Sequence, residues 1–217
     1  AIAQDETPVE TPDVPVKAKS SLMDEIVVTA QKREQGQQDV GIAVSAFSGD
    51  ALERIGVEDT TELANLIPGF NYAEGRGGVP IYTLRGVGFN LAMSTASSTV
   101  GIYVDEMNIP YSALSVGANL DVERVEVVKG PQGTLYGRNT TGGAIKVISA
   151  QPTEEFSAGA VIEGGRFGRV DAEAFVSGAI ADNIRVRLSG ATAHGGAWQT
   201  NRETGEELGD AEQYALR

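Results

Sequence analysis

Asp121-Val-Glu-Arg-Val-Glu-Val-Val-Lys-Gly-Pro-Gln-Gly-Thr-Leu-Tyr-Gly-Arg-Asn-Thr-Thr-Gly-Gly-Ala-Ile-Lys-Val-Ile-Ser149 is the stretch from which the rest of the chain is read. Val125, Val127 and Lys129 alternate with Glu126 and Val128, the period of two expected of a strand with unlike faces. Gly130-Pro131 ends that strand, because proline offers no N–H to a ladder and glycine permits a sharp reversal. After Gly133, Gly137, Gly142 and Gly143 the run Ala144–Ser149 resumes a β-rich pattern. Gly137 and Gly142 have the separation of a phosphate loop. Gly143-Ala144 stands where a lysine and a hydroxyl residue are required, so a phosphate loop is rejected.

The same stretch resembles the plug-domain signature of TonB-dependent outer-membrane transporters. The resemblance lies in Val125–Lys129, Gly130-Pro131, Leu135-Tyr136-Gly137, Gly142-Gly143 and the closing strand Ala144–Ser149, in that order. Lys146 departs from the pattern, which usually has Asn there.

Composition narrows the alternatives. With 217 residues and no cysteine, the chain holds neither disulfides nor thiolate metal sites. Its one histidine, His194, argues against a protein-ligated zinc or copper centre and against a Ser-His-Asp triad. A net charge of −13 argues against nucleic acid as partner, since phosphates demand a basic face. No run of about 18 apolar residues is present, so no transmembrane helix is expected, but barrel strands hide their lipid face in alternation. Ala1-Ile2-Ala3 has the small-residue form of a signal-peptide cleavage site.

Working outward toward the N-terminus, Val100–Val104 reads as a strand, followed by a solvated turn at Asp105-Glu106. These adjacent carboxylates point to opposite faces and cannot act as an acid–base pair. Ile81–Arg85 is a strand, and Leu84-Arg85-Gly86 matches an (Ile/Leu)-Arg-Gly element of the family. Gly86-Val87-Gly88 lacks the third glycine of a dinucleotide fingerprint, Leu91 standing in its place. Two short helices are expected, Ala51–Ile55 capped by Asp50 and Thr60–Leu66 started by Asp59 with Glu62. The second should bury Leu63, Leu66 and Ile67 on one face. Val40–Phe47 is the first strand of the domain.

Ahead of it, Pro8, Pro12 and Pro15 among acidic residues indicate an extended, solvated tether over residues 1–24. Asp24 to Ala30 is then a β-branched run in an otherwise polar arm. Position and flanking polarity leave two roles open: a strand added to a partner's sheet edge, or an ordinary first strand folded into the domain. In the first, Ile26 and Val28 would seat in pockets.

After residue 150 the character changes. Phe156, Ala158, Ala160 and Ile162 alternate with Ser157, Gly159, Val161 and Glu163. Val170, Ala172, Ala174 and Val176 oppose Asp171, Glu173 and Ser177, with Phe175 misplaced on the polar side. Ile184, Val186 and Leu188 oppose Arg185, Arg187 and Ser189. Such segments of roughly ten residues cross an outer membrane when tilted, although a soluble sandwich shows the same period. Loop lengths favour the barrel: Ala181–Asn183 is tight, while His194–Gly209 is long and polar. The tight side is then periplasmic, and Gln213–Arg217 begins a fourth strand. About 22 strands close a plugged barrel, so three and a fragment are expected to be the N-terminal part of a longer protein.

The expected fold is therefore an α+β plug, a small mixed sheet with short helices, followed by the first antiparallel strands of a transmembrane β-barrel. Its parts are a flexible periplasmic arm (1–39), the plug (40–150) and the start of the barrel (151–217). The resemblance implies active import of a scarce solute across the bacterial outer membrane, with no cofactor and no catalysis. A ferric siderophore is the default cargo, with cobalamin or an oligosaccharide as alternatives. The partners it implies are TonB with its inner-membrane energising complex, outer-membrane lipid and a small metal chelate. Glu25, Ile26, Val27, Val28, Thr29 and Ala30 correspond to the TonB box. Apical loops at 74–79, 87–98 and 108–117 would contact ligand through Arg76, Phe89, Asn90 and Tyr111. Arg85 and Arg124 would lock plug to barrel. A non-transporting binding module and a carboxylate hydrolase are the competing classes.

Overall fold

A computed structural model describes residues 26–57, 60–75, 79–88, 98–115 and 120–217. From Ile26 the chain makes a small hairpin, β1 (Val27–Val28) against β2 (Gln35–Gly36). Then come β3 (Val44–Ser48) and a short helix, α1 (Gly49–Arg54). A three-stranded antiparallel sheet follows, made of β4 (Phe70–Glu74), β5 (Pro80–Leu84) and β6 (Val87–Gly88). The central elements are β7 (Val100–Val104), β8 (Met107–Ile109), β9 (Val122–Lys129), α2 (Gly133–Tyr136) and β10 (Gly143–Ser149). Five strands form the main plug sheet in the order β3-β9-β10-β7-β8, antiparallel except for the parallel pair β10–β7.

The alternation in β9 gives this sheet two different faces. Val125 and Val127 join Ile145, Val147, Ile102, Leu63, Ile67, Phe70 and Tyr82 in the main apolar core. Burying side chains of this size stabilises the fold by about 1.5–3 kcal/mol each. On the other face Glu126 lies in register with Ala46 on one side and Lys146 on the other, and Lys146 lies beside Tyr103. The β9–β10 reversal depends on Gly143, whose φ of +143° disfavours any side chain. A Cβ there would also run into the Val128 carbonyl oxygen and lie 2.8 Å from Leu84 Cδ1.

Several local expectations are corrected. The first sheet strand begins at Val44 rather than residue 40, because Val40 and Ile42 leave the ladder to pack beside Val128. The cap of α1 is Ser48, whose hydroxyl accepts from the Ala51 N–H at 3.3 Å, while Asp50 sits in the first turn. In place of a helix over 60–66 there is one 3-10 turn at Glu62–Asn65, although Leu63 and Ile67 are buried as expected. Asp59 lies outside the described residues. β4 and β8 have no signal in the sequence: β4 buries only Phe70, and β8 exposes Met107 and Asn108.

The last third forms one antiparallel sheet, β11 (Ser157–Gly164), β12 (Val170–Ala181), β13 (Ile184–Gly195) and β16 (Ala211–Leu216). Between β13 and β16 the long loop carries a small ribbon, β14 (Gln199–Thr200) with β15 (Glu207–Leu208). Register aligns Ala160, Ala174, Gly190 and Leu216 in one cross-strand row and Val161, Glu173, Ala191 and Ala215 in the next. The apolar rows therefore fall on one face. The opposite face meets the plug through Glu173 and Arg187, while its Ser177 accepts from the Thr153 N–H at 2.9 Å. At twelve residues each, β12 and β13 are long enough to span a bilayer when tilted. Phe175 has a reason to sit on the polar face: the Arg187 guanidinium lies 3.9 Å from its ring centroid. Among the described residues no helix is long and apolar enough to cross a membrane.

Candidate functional site

The arm expected to be flexible through residue 39 is, from Ile26 onward, folded onto the plug. Val28 and Ala30 are fully buried against Ala46 and Val128, with Ile26 at the margin, while Val27 faces out. Ile26 and Val28, expected to seat in a partner's pockets, here turn inward onto the plug. Among the described residues β1 pairs only with β2, and no ladder joins it to the main sheet. Its hold on the plug combines this apolar contact with polar side chains.

Thr29 is the centre of that hold. Its N–H donates to Glu126 Oε1 at 2.8 Å, and its hydroxyl lies 3.2 Å from the same oxygen. The Lys146 ammonium donates to Thr29 Oγ1 at 2.7 Å and to the Thr29 carbonyl at 3.1 Å. Lys146 also pairs with Glu106 Oε1 at 2.7 Å and stands 3.8 Å from Glu126 Oε2. Arg124 Nε donates to Glu126 Oε1 at 2.9 Å. Lys32, on the turn of the arm, pairs with Glu106 and lies 5.1 Å from the Tyr136 ring centroid. The Tyr136 hydroxyl donates to the Ala30 carbonyl at 2.7 Å.

Lys146 and Glu126 are sealed from solvent, at 1% and 0% exposure. A buried charge is tolerated only where partners replace its water, and the arm supplies a large share of them. Burial alone would raise the Glu106 carboxyl, but hydrogen bonds from Lys146 and Lys32 outweigh it and hold the group below its ordinary value. Burial pushes the Tyr136 phenol up, with the charges of Glu126 and Glu106 adding to it, so it stays a donor. Asp105-Glu106 is a turn, as expected, but not merely a solvated one. Asp105 accepts from the Ser149 N–H at 2.8 Å and from its hydroxyl at 2.7 Å.

A second polar cluster ties plug to barrel. Asp121 Oδ2 and Oδ1 receive Arg187 Nε and Nη2 at 2.6 and 2.5 Å. The Asp121 N–H donates to Glu173 Oε1 at 2.9 Å. Arg217 donates to the Leu120 carbonyl at 2.8 Å and also pairs with Ser149 Oγ. Burial works against the Asp121 carboxylate, but Arg187 overcomes it and the group is held below its usual range.

The two expected locking residues have different surroundings. Arg124 shares the face of Glu126, two residues along β9, and so points into the seat of the arm. Arg85, at φ +50°, lies beside Lys129, whose ammonium is pushed down by burial and by Arg85. Neither Arg85 nor Lys129 has a carboxylate against it among the described residues. Tyr111 is exposed, just before the turn Ser112–Ser115. Glu25, Arg76, Phe89 and Asn90 lie outside the described residues. Sequence reasoning missed Asp121, Glu173, Arg187 and Arg217, because nothing in a strand's period says which lumen-facing charge meets which plug residue. Lys146 did leave a trace, as a lysine within an otherwise apolar strand.

The family model described as TonB-dependent Receptor Plug Domain matches residues 36–144, half of the chain. The pesticin receptor of Yersinia pestis is 33% identical over 139 residues, 62% of this chain and 20% of that protein. A vitamin B12 transporter of Vibrio vulnificus is 30% identical over 141 residues, 64% of this chain and 22% of that protein. Among solved structures, the ferric yersiniabactin uptake receptor FyuA from Yersinia pestis superposes with a TM-score of 0.66 at 26% identity. That match covers 80% of this chain and 27% of FyuA. The pyoverdine receptor FpvA of Pseudomonas aeruginosa shares the fold, with a TM-score of 0.66 at 20% identity. The chain spans about a fifth to a quarter of the length of these relatives.

Proposed function

Because the chain belongs to the TonB-dependent receptors, through the plug domain that fills half of it, we propose that it gates active import of a ferric siderophore across the bacterial outer membrane. Residues 25–30 are the segment handed to TonB, and the barrel that the last strands begin is the conduit. The observation that carries this reading is the arm strand held on a polar seat with no ladder to the main sheet. A strand held this way can be detached whole and offered, edge first, to another sheet. Ligand bound at the outer face would favour the detached state only through contacts that differ between the two states. Tyr111 offers flat amphipathic surface for such contacts, together with Arg76, Phe89 and Asn90. Arg85 and Lys129, two adjacent cations, would face carboxylates of the barrel wall.

The siderophore is preferred because the ferric yersiniabactin uptake receptor shares this fold over four-fifths of the chain at 26% identity. Cobalamin is the second cargo, on the strength of the 30% identity to the vitamin B12 transporter. The mechanism asks for no chemistry on the solute. It is tested with the full-length receptor in a deletion strain, measuring binding and uptake of ferric siderophores and of cobalamin. Val27→Pro should abolish uptake and leave binding intact, since proline removes the N–H that a paired strand requires. Uptake at the wild-type rate by that variant would refute the role of the arm.

A further inference from the structure

The seat under Thr29 is built differently from a core contact. Within hydrogen-bond distance of Lys146 Nζ stand Thr29 Oγ1 at 2.7 Å, the Thr29 carbonyl at 3.1 Å and Glu106 Oε1 at 2.7 Å. Two of these acceptors belong to the arm. Glu126 Oε1 is served by the Thr29 N–H, the Thr29 hydroxyl and Arg124, and Oε2 has no hydrogen-bond partner. Lifting the arm would therefore strip a buried ammonium and a buried carboxylate of most of their partners at once. It would also carry off Lys32, leaving Glu106, Glu123 and Glu126 against Arg124 and Lys146. Apolar contact adds to this hold, since Val28 and Ala30 are fully buried beside Ala46 and Val128.

We propose that Lys146 is a positioning residue that latches the arm: its sealed ammonium holds segment 26–30 on the plug until a competing interaction removes it. The proposal rests on residues 25–30 being the TonB contact, and it names how that contact is kept from forming when no solute is bound. Because the bonds from Lys146 and Glu126 to the arm converge on one residue, Thr29, those two charges lose the arm in one step. Hydrogen bonds to charged groups are the strong ones, and an unpaired buried charge is costlier still. The docked state is therefore strongly favoured, and the device works as a threshold.

The test uses the full-length receptor in outer membranes from cells lacking TonB, with no solute added, so its outcome is independent of uptake. A single cysteine at the buried position 28 (Val28→Cys) is reacted with a maleimide, and Val100→Cys, in the main core, serves as the control. With Lys146 in place, position 28 should react slowly. Lys146→Met should speed labelling at 28 at least tenfold and leave position 100 unchanged. Thr29→Val, which removes only the hydroxyl, should speed it to a smaller extent, and Thr29→Ser should return it to the slow rate. If Lys146→Met fails to assemble, Thr29→Val decides. An unchanged rate at 28, or an equal rise at 28 and 100, would overturn the latch. Faster labelling at 28 alone, combined with full uptake by Val27→Pro, would uphold the latch while removing TonB as its purpose.

Discussion

Replacing Asp121 by asparagine should loosen the plug from the barrel without distorting either. Asp121 sits at φ +54°, a conformation asparagine also accepts, so the turn survives. What is lost is the charge beneath a forked pair whose bonds measure 2.5 and 2.6 Å. The two side chains are 7% and 12% exposed. Removing one partner of a fully buried pair costs about 3–5 kcal/mol. Here the retained amide oxygen still accepts one bond and both side chains keep some exposure, so about 2 kcal/mol is expected. That corresponds to local opening about 30-fold more frequent. Hydrogen exchange on the full-length receptor reads it at the Ala150 amide, which donates to the Asp121 carbonyl at 2.8 Å. Exchange at Val127 and Ile145, in the middle of the sheet, should not change. Arg187→Gln also removes the contact with Phe175, so a double-mutant cycle isolates the pair, and the double variant should cost clearly less than the sum of the singles. Additivity within about 0.5 kcal/mol would show that the carboxylate and guanidinium do not act together.

Two further outcomes follow from the same structure. Gly143→Ala should destabilise the plug by at least about 2 kcal/mol, because φ +143° is strained for alanine and its Cβ meets the Val128 carbonyl; normal amounts of heat-modifiable receptor in outer membranes would contradict this. Glu106 has a folded-state value below its ordinary 4.5, so its contribution to arm docking is complete above about pH 4.5 and is lost as pH falls through the lower folded value. Protection of position 28, taken as its labelling rate relative to an exposed cysteine at the same pH, should stay flat from neutral pH down to that point and then decline; a decline beginning near pH 7 would assign the titration to another group.

The elements that legibly belong to the sequence are those whose residues carry a local rule. Alternation over 125–129 and 144–149, the glycines of the reversal and the long amphipathic segments after residue 156 each dictate structure through their own period or conformational freedom. From these the plug and the first barrel strands could be read, and the family with them. That Ile26 and Val28 share a face was equally legible, since alternation is local, but that this face meets the plug was not.

What lay beyond it are contacts between residues far apart in the chain. Thr29 meets Lys146 across 117 positions, and Asp121 meets Arg187 across 66. A lysine in a strand reads the same whether it faces water or a docked arm; only packing the even-numbered face of β9 and β10 under residues 26–30 makes Lys146 a buried charge with the arm as its partner. Arg124 was legible as a charge and illegible as a direction, because the pleat that sets its face is anchored by the whole sheet. Local chemistry chose the strands. The tertiary structure alone decided which charges they would bring together, because desolvation and pairing exist only once the faces have met.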